Sequence, residues 1–302
     1  MKAARLHAFG DVDQIHYDDI PVPVPGAGEV LVKIEASSLN PVELYVRQGY
    51  LEKMVPLALP AIMGLDLAGT VIETGAGVVG YKAGDRVIGK LPIGSNGANA
   101  EFQVVPENRL ARLADNVDFL AGATLPLAGL TGRQAVVATG AKAGDRILVT
   151  GALGAVGRAA IQYLKELGAV PIAGVRAAQI SEVEASGIEA LAIGETDENA
   201  IFDGAVVTVG GPLVNAAIDL VRDGGTVASV VTNPEGANAD GRVILTHLFT
   251  VDDGPTLQAV ADAAARGDLH IPIAKILPLS QVGEGHRLLA AGQVGGKIIF
   301  TP

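Results

Sequence analysis

An α/β protein, with a doubly wound parallel sheet set beside a β-rich segment, is the fold class predicted by this 302-residue sequence. Three observations predict it. The stretch from Arg146 to Val175 runs strand, helix, strand within about thirty residues, the span of a βαβ unit. Two later apolar runs, FDGAVVTVGG (Phe202 to Gly211) and GGTVASVV (Gly224 to Val231), flank the helical pattern VNAAIDLVRDG and read as further parallel strands. The first third instead carries short apolar segments, Val30 to Ile34, Ala68 to Glu73 and Arg86 to Gly89, punctuated by Pro and Gly turns.

A chain of this length fills about two domains of roughly 100 to 200 residues each. With 49% hydrophobic and 18% charged residues it can bury a sizeable core. PVPVPGAGEV (Pro21 to Val30) reads as a stiff surface connection. After Thr250 the pattern closes with the helix-like TLQAVADAAARG and the strand GKIIFTP, a tail suited to completing the N-terminal β domain. The expected division is therefore 1–120 with 250–302 as one domain and 121–249 as the other.

Composition excludes several functions. No apolar run approaches the ~20 residues needed to cross a bilayer. The N-terminal MKAARLHAFGDVDQIHYDD lacks a continuous apolar stretch and carries acids, which points to the cytoplasm. A net charge of -11 and the lack of a basic run argue against nucleic acid as a partner. Zero cysteines remove disulfides, thiolate nucleophiles and Cys-ligated zinc. The five histidines are scattered without HxxxH or HxE spacing, so no metal site is expected and each reads as a surface or core residue.

What remains is chemistry carried by an organic cofactor. The turn Gly151-Ala152-Leu153-Gly154-Ala155-Val156-Gly157 lies between the buried run RILVT and an amphipathic helix, where a dinucleotide-binding fingerprint belongs. Gly154 lets the backbone approach a pyrophosphate, Gly157 lets the helix pack close to the strand, and the free amides at the helix start hold the anion. Ala152 replaces the first glycine of the strict pattern. An NAD site places an acid about 20 residues on, at the end of the second strand, for the ribose hydroxyls. Here that strand ends in Val175-Arg176, and a guanidinium suits a 2′-phosphate, so the position argues for NADPH; an exposed surface arginine is the competing reading. Without a metal, an unactivated ketone would leave a basic alkoxide unstabilised, whereas a quinone or enone spreads the charge.

Seven motifs in order, LNPVELYVRQG (Leu39 to Gly49), GLDLAGTV (Gly64 to Val71), YKAGDRVIG (Tyr81 to Gly89), LPLAGLTG (Leu125 to Gly132), GALGAVG (Gly151 to Gly157), VTVGG (Val207 to Gly211) and GGKIIF (Gly295 to Phe300), resemble the medium-chain dehydrogenase/reductases. The resemblance is to their zinc-independent quinone oxidoreductase branch, related to zeta-crystallin, and covers nearly the whole chain. It implies a GroES-like β-rich catalytic domain, a Rossmann cofactor domain and an active site in the cleft between them. Zinc-dependent relatives carry a His in the segment matching GLDLAGTV; Leu65 stands here.

By the same resemblance, Asn40 lies near the nicotinamide and the acceptor, where it could donate to a developing oxyanion or serve only as a turn residue ahead of Pro41. Tyr45 and Tyr50 could line the acceptor pocket or donate a proton, against ordinary packing. Glu43 stands where relatives have Asp, and Asp66 reads as a structural hydrogen-bonding group without an evident partner. Thr131 matches a threonine facing the nicotinamide, with helix capping as its alternative, although Gly132 and Arg133 depart from the usual continuation. Val209, Gly210 and Val230 match strand ends flanking the nicotinamide amide, with core packing an alternative for the valines. Lys297 could reach the cofactor or stand solvated at a strand start. A Ser and Lys that help hold the 2′-phosphate in relatives are absent from RAAQI, leaving Arg176.

The function implied is NADPH-dependent hydride transfer to a small quinone or activated enone by a homodimer pairing near Val231 to Leu245. A reductase of enoyl thioesters and a non-catalytic, crystallin-like NADPH-binding protein are the alternatives.

Overall fold

The computed structural model describes residues 1–194, 201–292 and 294–302, which form two compact units, Met1–Leu127 with Asp252–Pro302, and Ala128–Val251.

The first unit is mostly antiparallel sheet. Its N-terminal part holds β1 (Lys2–Leu6), β2 (Ile15–Asp19), β3 (Glu29–Ser38), the short helix α1 (Pro41–Arg47), β4 (Ala61–Ile62), β5 (Asp66–Thr74), β6 (Arg86–Lys90), β7 (Phe102–Pro106), β8 (Leu110–Arg112) and α2 (Phe119–Ala123). The run VLVKI keeps Val30, Val32 and Ile34 on one face of β3, and they pack on Leu67, Val71 and Val87. Leu31, on the other face, is buried as well, so the period-2 pattern is incomplete. Lys33, between Val32 and Ile34, is exposed and pairs with Glu35.

Helix α3 (Pro126–Thr139) leads into the second unit, whose strands are β9 (Arg146–Thr150), β10 (Val170–Val175), β11 (Glu189–Ala192), β12 (Phe202–Val207), β13 (Val221–Ser229) and β14 (Ile244–His247). Helices α4 (Ala155–Leu167), α5 (Ile180–Glu184) and α6 (Pro212–Asp219) lie between them. The strand order β11-β10-β9-β12-β13-β14, parallel throughout, is that of two βαβαβ halves meeting at β9. Alternation along RILVT buries the strand on both faces. Ile147 and Val149 face α3 and α4 residues such as Val136 and Leu164, while Leu148 faces Val214 and Ile218 of α6.

Two boundaries differ from the sequence expectation. The helical pattern VNAAIDLVRDG stops at Asp219, because Val221 is buried as the register partner of Phe202 and already belongs to β13. The run FDGAVVTVGG ends as strand at Val207, after which Thr208 turns to bond Thr150. By contrast α4 ends where Gly168 adopts φ 75°, the left-handed conformation that favours glycine.

The departure at Gly132-Arg133 is explained by helix packing. A Cβ on Gly132 would lie 2.7 Å from the Ala159 Cβ and 2.8 Å from the Val156 carbonyl, so glycine permits close approach of α3 to α4. Arg133 then stacks on Tyr163, 3.9 Å from the ring centre, and pairs with Glu166 at 3.0 Å.

The tail adds α7 (Gly254–Ala265), β15 (Ile273–Pro278), α8 (Val282–Ala290) and β16 (Lys297–Thr301) to the first unit. β16 pairs with β3 through Ile299 and Ser38, and Phe300 and Ile298 pack with Ala4 and Leu39. The N-terminal and C-terminal ends of the chain thus share one core.

Candidate active site

In the first unit the site residues converge on a buried carboxylate. β5 begins at Asp66, directly opposite Ser38 of β3, and the two are fully buried. Asp66 Oδ2 accepts from Ser38 Oγ at 2.9 Å, Asn40 Nδ2 at 2.9 Å and Lys297 Nζ at 3.1 Å, while Oδ1 accepts from the Leu127 amide at 2.8 Å. Asp66 therefore has four partners where the sequence suggested none. The solvated reading of Lys297 is excluded: it is 6% exposed, and it donates to Asn40 Oδ1 at 2.6 Å and Leu39 O at 3.3 Å as well as to Asp66. All three ammonium hydrogens are committed within the unit.

Asn40 is the N-cap of α1 and is bonded at every polar atom of its side chain. Its Nδ2 donates to both Asp66 and Glu43 Oε1, the latter at 3.2 Å, and its Oδ1 accepts from Lys297. Glu43 reaches back to the Asn40 backbone N–H at 3.0 Å, the reciprocal arm of a capping box. The glutamate is 1% exposed, and its Oε2 has no partner among the described residues. Burial pushes the Glu43 carboxyl up to about 8, against the lowering effect of its Asn40 hydrogen bond; the neighbouring Asp66 charge adds to the rise. The longer Glu43 is thus a buried, neutral acid at pH 7. It borders a small, largely apolar cavity with Val46, Ile62, Met63 and Leu65.

Tyr45 and Tyr50 do not pack into the core. Their side chains stand 53% and 69% exposed, with ring centres 6.3 Å apart and planes tilted by 53°. Two phenols on one short segment thus present an aromatic surface to solvent.

In the second unit the fingerprint turn has the geometry of an anion cradle. Gly151 takes φ 63° and its amide donates to Gly174 O. Ala152 is buried in the core, and a Cβ on Gly157 would lie 2.3 Å from Gly151 O, so only glycine fits. Gly154 is an exposed N-cap with no capping side chain, and Ala155 and Val156 follow it half-buried, leaving the first amides of a thirteen-residue helix available. A Cβ at Gly151 would meet Val209 Cγ2 at 2.7 Å, so the segment 208–210 borders the turn, fixed there by Thr208 Oγ1 donating to Thr150 O at 2.6 Å. Val209 is 37% exposed and Gly210 is exposed, which excludes core packing for Val209; Val230 is half-buried against the core. Thr131 lies inside α3 and not at its start, so it is no cap; its hydroxyl contacts Thr250 Oγ1 at 2.6 Å.

Arg176 follows the last residue of β10 and is exposed, its Nε donating to Gln179 Oε1 at 3.1 Å. Since Gly174 pairs with Thr150, the arginine stands on the strand next to the turn. Sequence reasoning missed Arg158. Side chains of a helix lean toward its N-terminus. Arg158 obeys this rule, its Nε donating back to Leu153 O at 2.9 Å inside the glycine turn. Among the described residues no carboxylate forms an ion pair with it. Its helical position, one residue past Gly157, was the available signal.

The chain matches two family models, the alcohol dehydrogenase GroES-like domain over residues 26–115 and the zinc-binding dehydrogenase over residues 185–300. It is similar to a chloroplast envelope quinone oxidoreductase homolog of Arabidopsis thaliana, 29% identical over 100% of this chain and 98% of that protein. It is likewise 29% identical to an NADPH-dependent alkenal/one oxidoreductase of the same plant, over 100% of this chain and 80% of that protein. Among solved structures, the quinone oxidoreductase from Coxiella burnetii superposes with a TM-score of 0.90 at 28% identity, over 100% of this chain and 99% of that one.

The Glu43 acid makes a measurable prediction. The unfolded chain releases this proton near the ordinary value of 4.5, whereas the fold retains it to about 8. The stability contributed by the neutral form is therefore complete below 4.5 and lost as the pH rises through 8. Glu43→Gln, neutral at every pH, is expected to exceed the parent in urea-unfolding stability near pH 7 by on the order of 3 kcal/mol. That advantage should vanish toward pH 4.5; a difference independent of pH would show that Glu43 is ionised in the fold.

Proposed function

The chain belongs to the medium-chain dehydrogenase/reductase superfamily, in its quinone oxidoreductase branch, and on that premise we propose that it passes a hydride from NADPH to a quinone or an activated enone without a metal. The observation that carries the cofactor is the uncapped turn from Gly151 to Gly157, whose glycines at 151 and 157 leave no room for a Cβ. When bound, the nicotinamide supplies the electrons, so the protein's work is to bind, orient and exclude water.

In this reading the amides of Ala155 and Val156 take the pyrophosphate while Gly154, its own amide donating to Gly151 O at 2.8 Å, lets the backbone approach it, with Arg158 held beside them by its bond to Leu153 O. Arg176 takes the 2′-phosphate, since the strand end offers no acid to the ribose. Val209 and Gly210 are the exposed positions next to the turn and form one wall for the nicotinamide; Thr131 and Val230 belong to the same set. In the β-rich unit, Tyr45 and Tyr50 supply an aromatic surface suited to a flat acceptor, and Tyr45 is the candidate proton donor.

Asn40 and Lys297 act as positioning residues. Both hydrogens of Asn40 Nδ2 are committed to Glu43 and Asp66, so donation to an oxyanion would require it to release one of them. The absence of cysteine, with buried Leu65 where zinc-dependent relatives have His, supports metal-independent chemistry. Among the described residues no helix is long and apolar enough to cross a membrane. A cytoplasmic homodimer completes the proposal: β14 is an edge strand of its sheet with Ile244 58% exposed, a surface suited to a second copy.

Stopped-flow mixing of the NADPH-loaded protein with 9,10-phenanthrenequinone is expected to oxidise the cofactor with repeated turnover that EDTA leaves unchanged. Tight NADPH binding with no oxidation would instead identify a binding protein. In fluorescence titrations Arg176→Ala should weaken NADPH by about tenfold or more while sparing NADH, since a hydrogen bond to a charged group contributes about 1.5 to 3 kcal/mol. Arg158→Ala should weaken both cofactors alike; equal losses from Arg176→Ala would reject its assignment to the 2′-phosphate. Light scattering should return twice the 30.7 kDa chain mass, and a monomeric mass would overturn the dimer.

A further inference from the structure

The hairpin of β1 and β2 brings together three groups that no part of the proposed reaction uses. Arg5 pairs with His16 across the antiparallel ladder, and the next residue but one along the first strand, His7, continues it by donating its amide to Gln14 O. Since cross-strand partners share a face and side chains alternate, Arg5, His7, His16 and Asp18 project from the same side of the hairpin. The two imidazoles stack with centres 4.2 Å apart and planes 19° from parallel. His7 Nε2 meets Asp18 Oδ2 at 2.7 Å, and one ligand atom from each of His7, His16 and Asp18 lies within 4.8 Å of the others. The spacing in sequence, 7, 16 and 18, fits no metal motif; the register of the ladder creates the cluster.

We propose that His7, His16 and Asp18 form a surface site for a divalent transition cation of the zinc class. Two imidazoles and a carboxylate are the ligand set that borderline cations prefer, and they leave positions for water. In a tetrahedral shell with bonds of about 2.0 to 2.1 Å, ligand atoms stand about 3.3 Å apart. The His7–Asp18 pair opens slightly to admit the ion in place of the shared proton, and the exposed His16 ring closes in by a change of rotamer. Arg5 Nη1 donates to the same Asp18 oxygen as His7, at 3.2 Å, which leaves Oδ1 without a contact among the described residues and open to the ion. The guanidinium of Arg5, anchored on Pro60 O at 2.9 Å, opposes the ion's charge, so the site discriminates against hard cations such as Mg²⁺ that gain little from imidazole. The ion would clamp the loop-side end of the hairpin. It shares no residue with the proposed reaction.

The full-length protein, freed of metal by EDTA and dialysis, is titrated calorimetrically with zinc chloride. One ion per chain is expected, with no binding of Mg²⁺. His16→Asn and Asp18→Asn should each weaken zinc by more than about tenfold, while the double variant His247→Asn/His270→Asn, which removes two other exposed histidines, should bind as the parent does. Nitrogen-15 imidazole shifts of the parent should change at His7 and His16 on zinc addition. No saturable binding, undiminished binding by both His16→Asn and Asp18→Asn, or shifts confined to His247 and His270 would each overturn the site.

Discussion

The first unit depends on the ion pair between Lys297 and Asp66, two side chains 231 residues apart in sequence and both nearly excluded from water. Burying a charge is costly unless it is paired and hydrogen-bonded, and such a pair is weak evidence for net stability. Its value here is geometric. Four donors on Asp66 and three acceptors for Lys297 fix the start of β5, the end of β3, the entry to α1 and the first residue of β16 in one arrangement. Removing either partner would leave an uncompensated buried charge, which typically costs 3–5 kcal/mol. The C-terminal tail thereby becomes part of the N-terminal domain.

That network explains why Glu43 remains neutral. A carboxyl beside the Asp66 charge, with one oxygen buried against an apolar cavity, is held in its protonated form even though Lys297 is near. Asp66 is paired with its lysine, whereas Glu43 is held uncharged chiefly by burial. The amide of Asn40 sits between the two and bonds to both, which fixes its orientation to a degree that turn chemistry alone would not.

The second unit relies on exclusion more than on bonding. Gly151, Gly157 and Gly132 occupy places where a methyl group would strike backbone or a neighbouring side chain, so β9, α3 and α4 approach closely and the first amides of α4 stay open. The same parallel order that brings the ends of β9, β10 and β12 to one edge brings Arg176 and Val209 to the turn.

Local physics made much of this legible in the sequence. The alternation of RILVT, the glycines from 151 to 157 and the stop at Gly168 depend on near neighbours, and their structural meaning survives in one dimension. Cysteine content and net charge likewise needed no coordinates. Only the tertiary structure decided what Asp66, Glu43 and Lys297 are, because a titratable group takes its character from burial and from partners far along the chain. It also decided that Tyr45 and Tyr50 face solvent, that Arg158 turns back on the glycine loop, and that His7, His16 and Asp18 meet. Strand register and helix direction bring such groups together, and neither is encoded at the residues concerned.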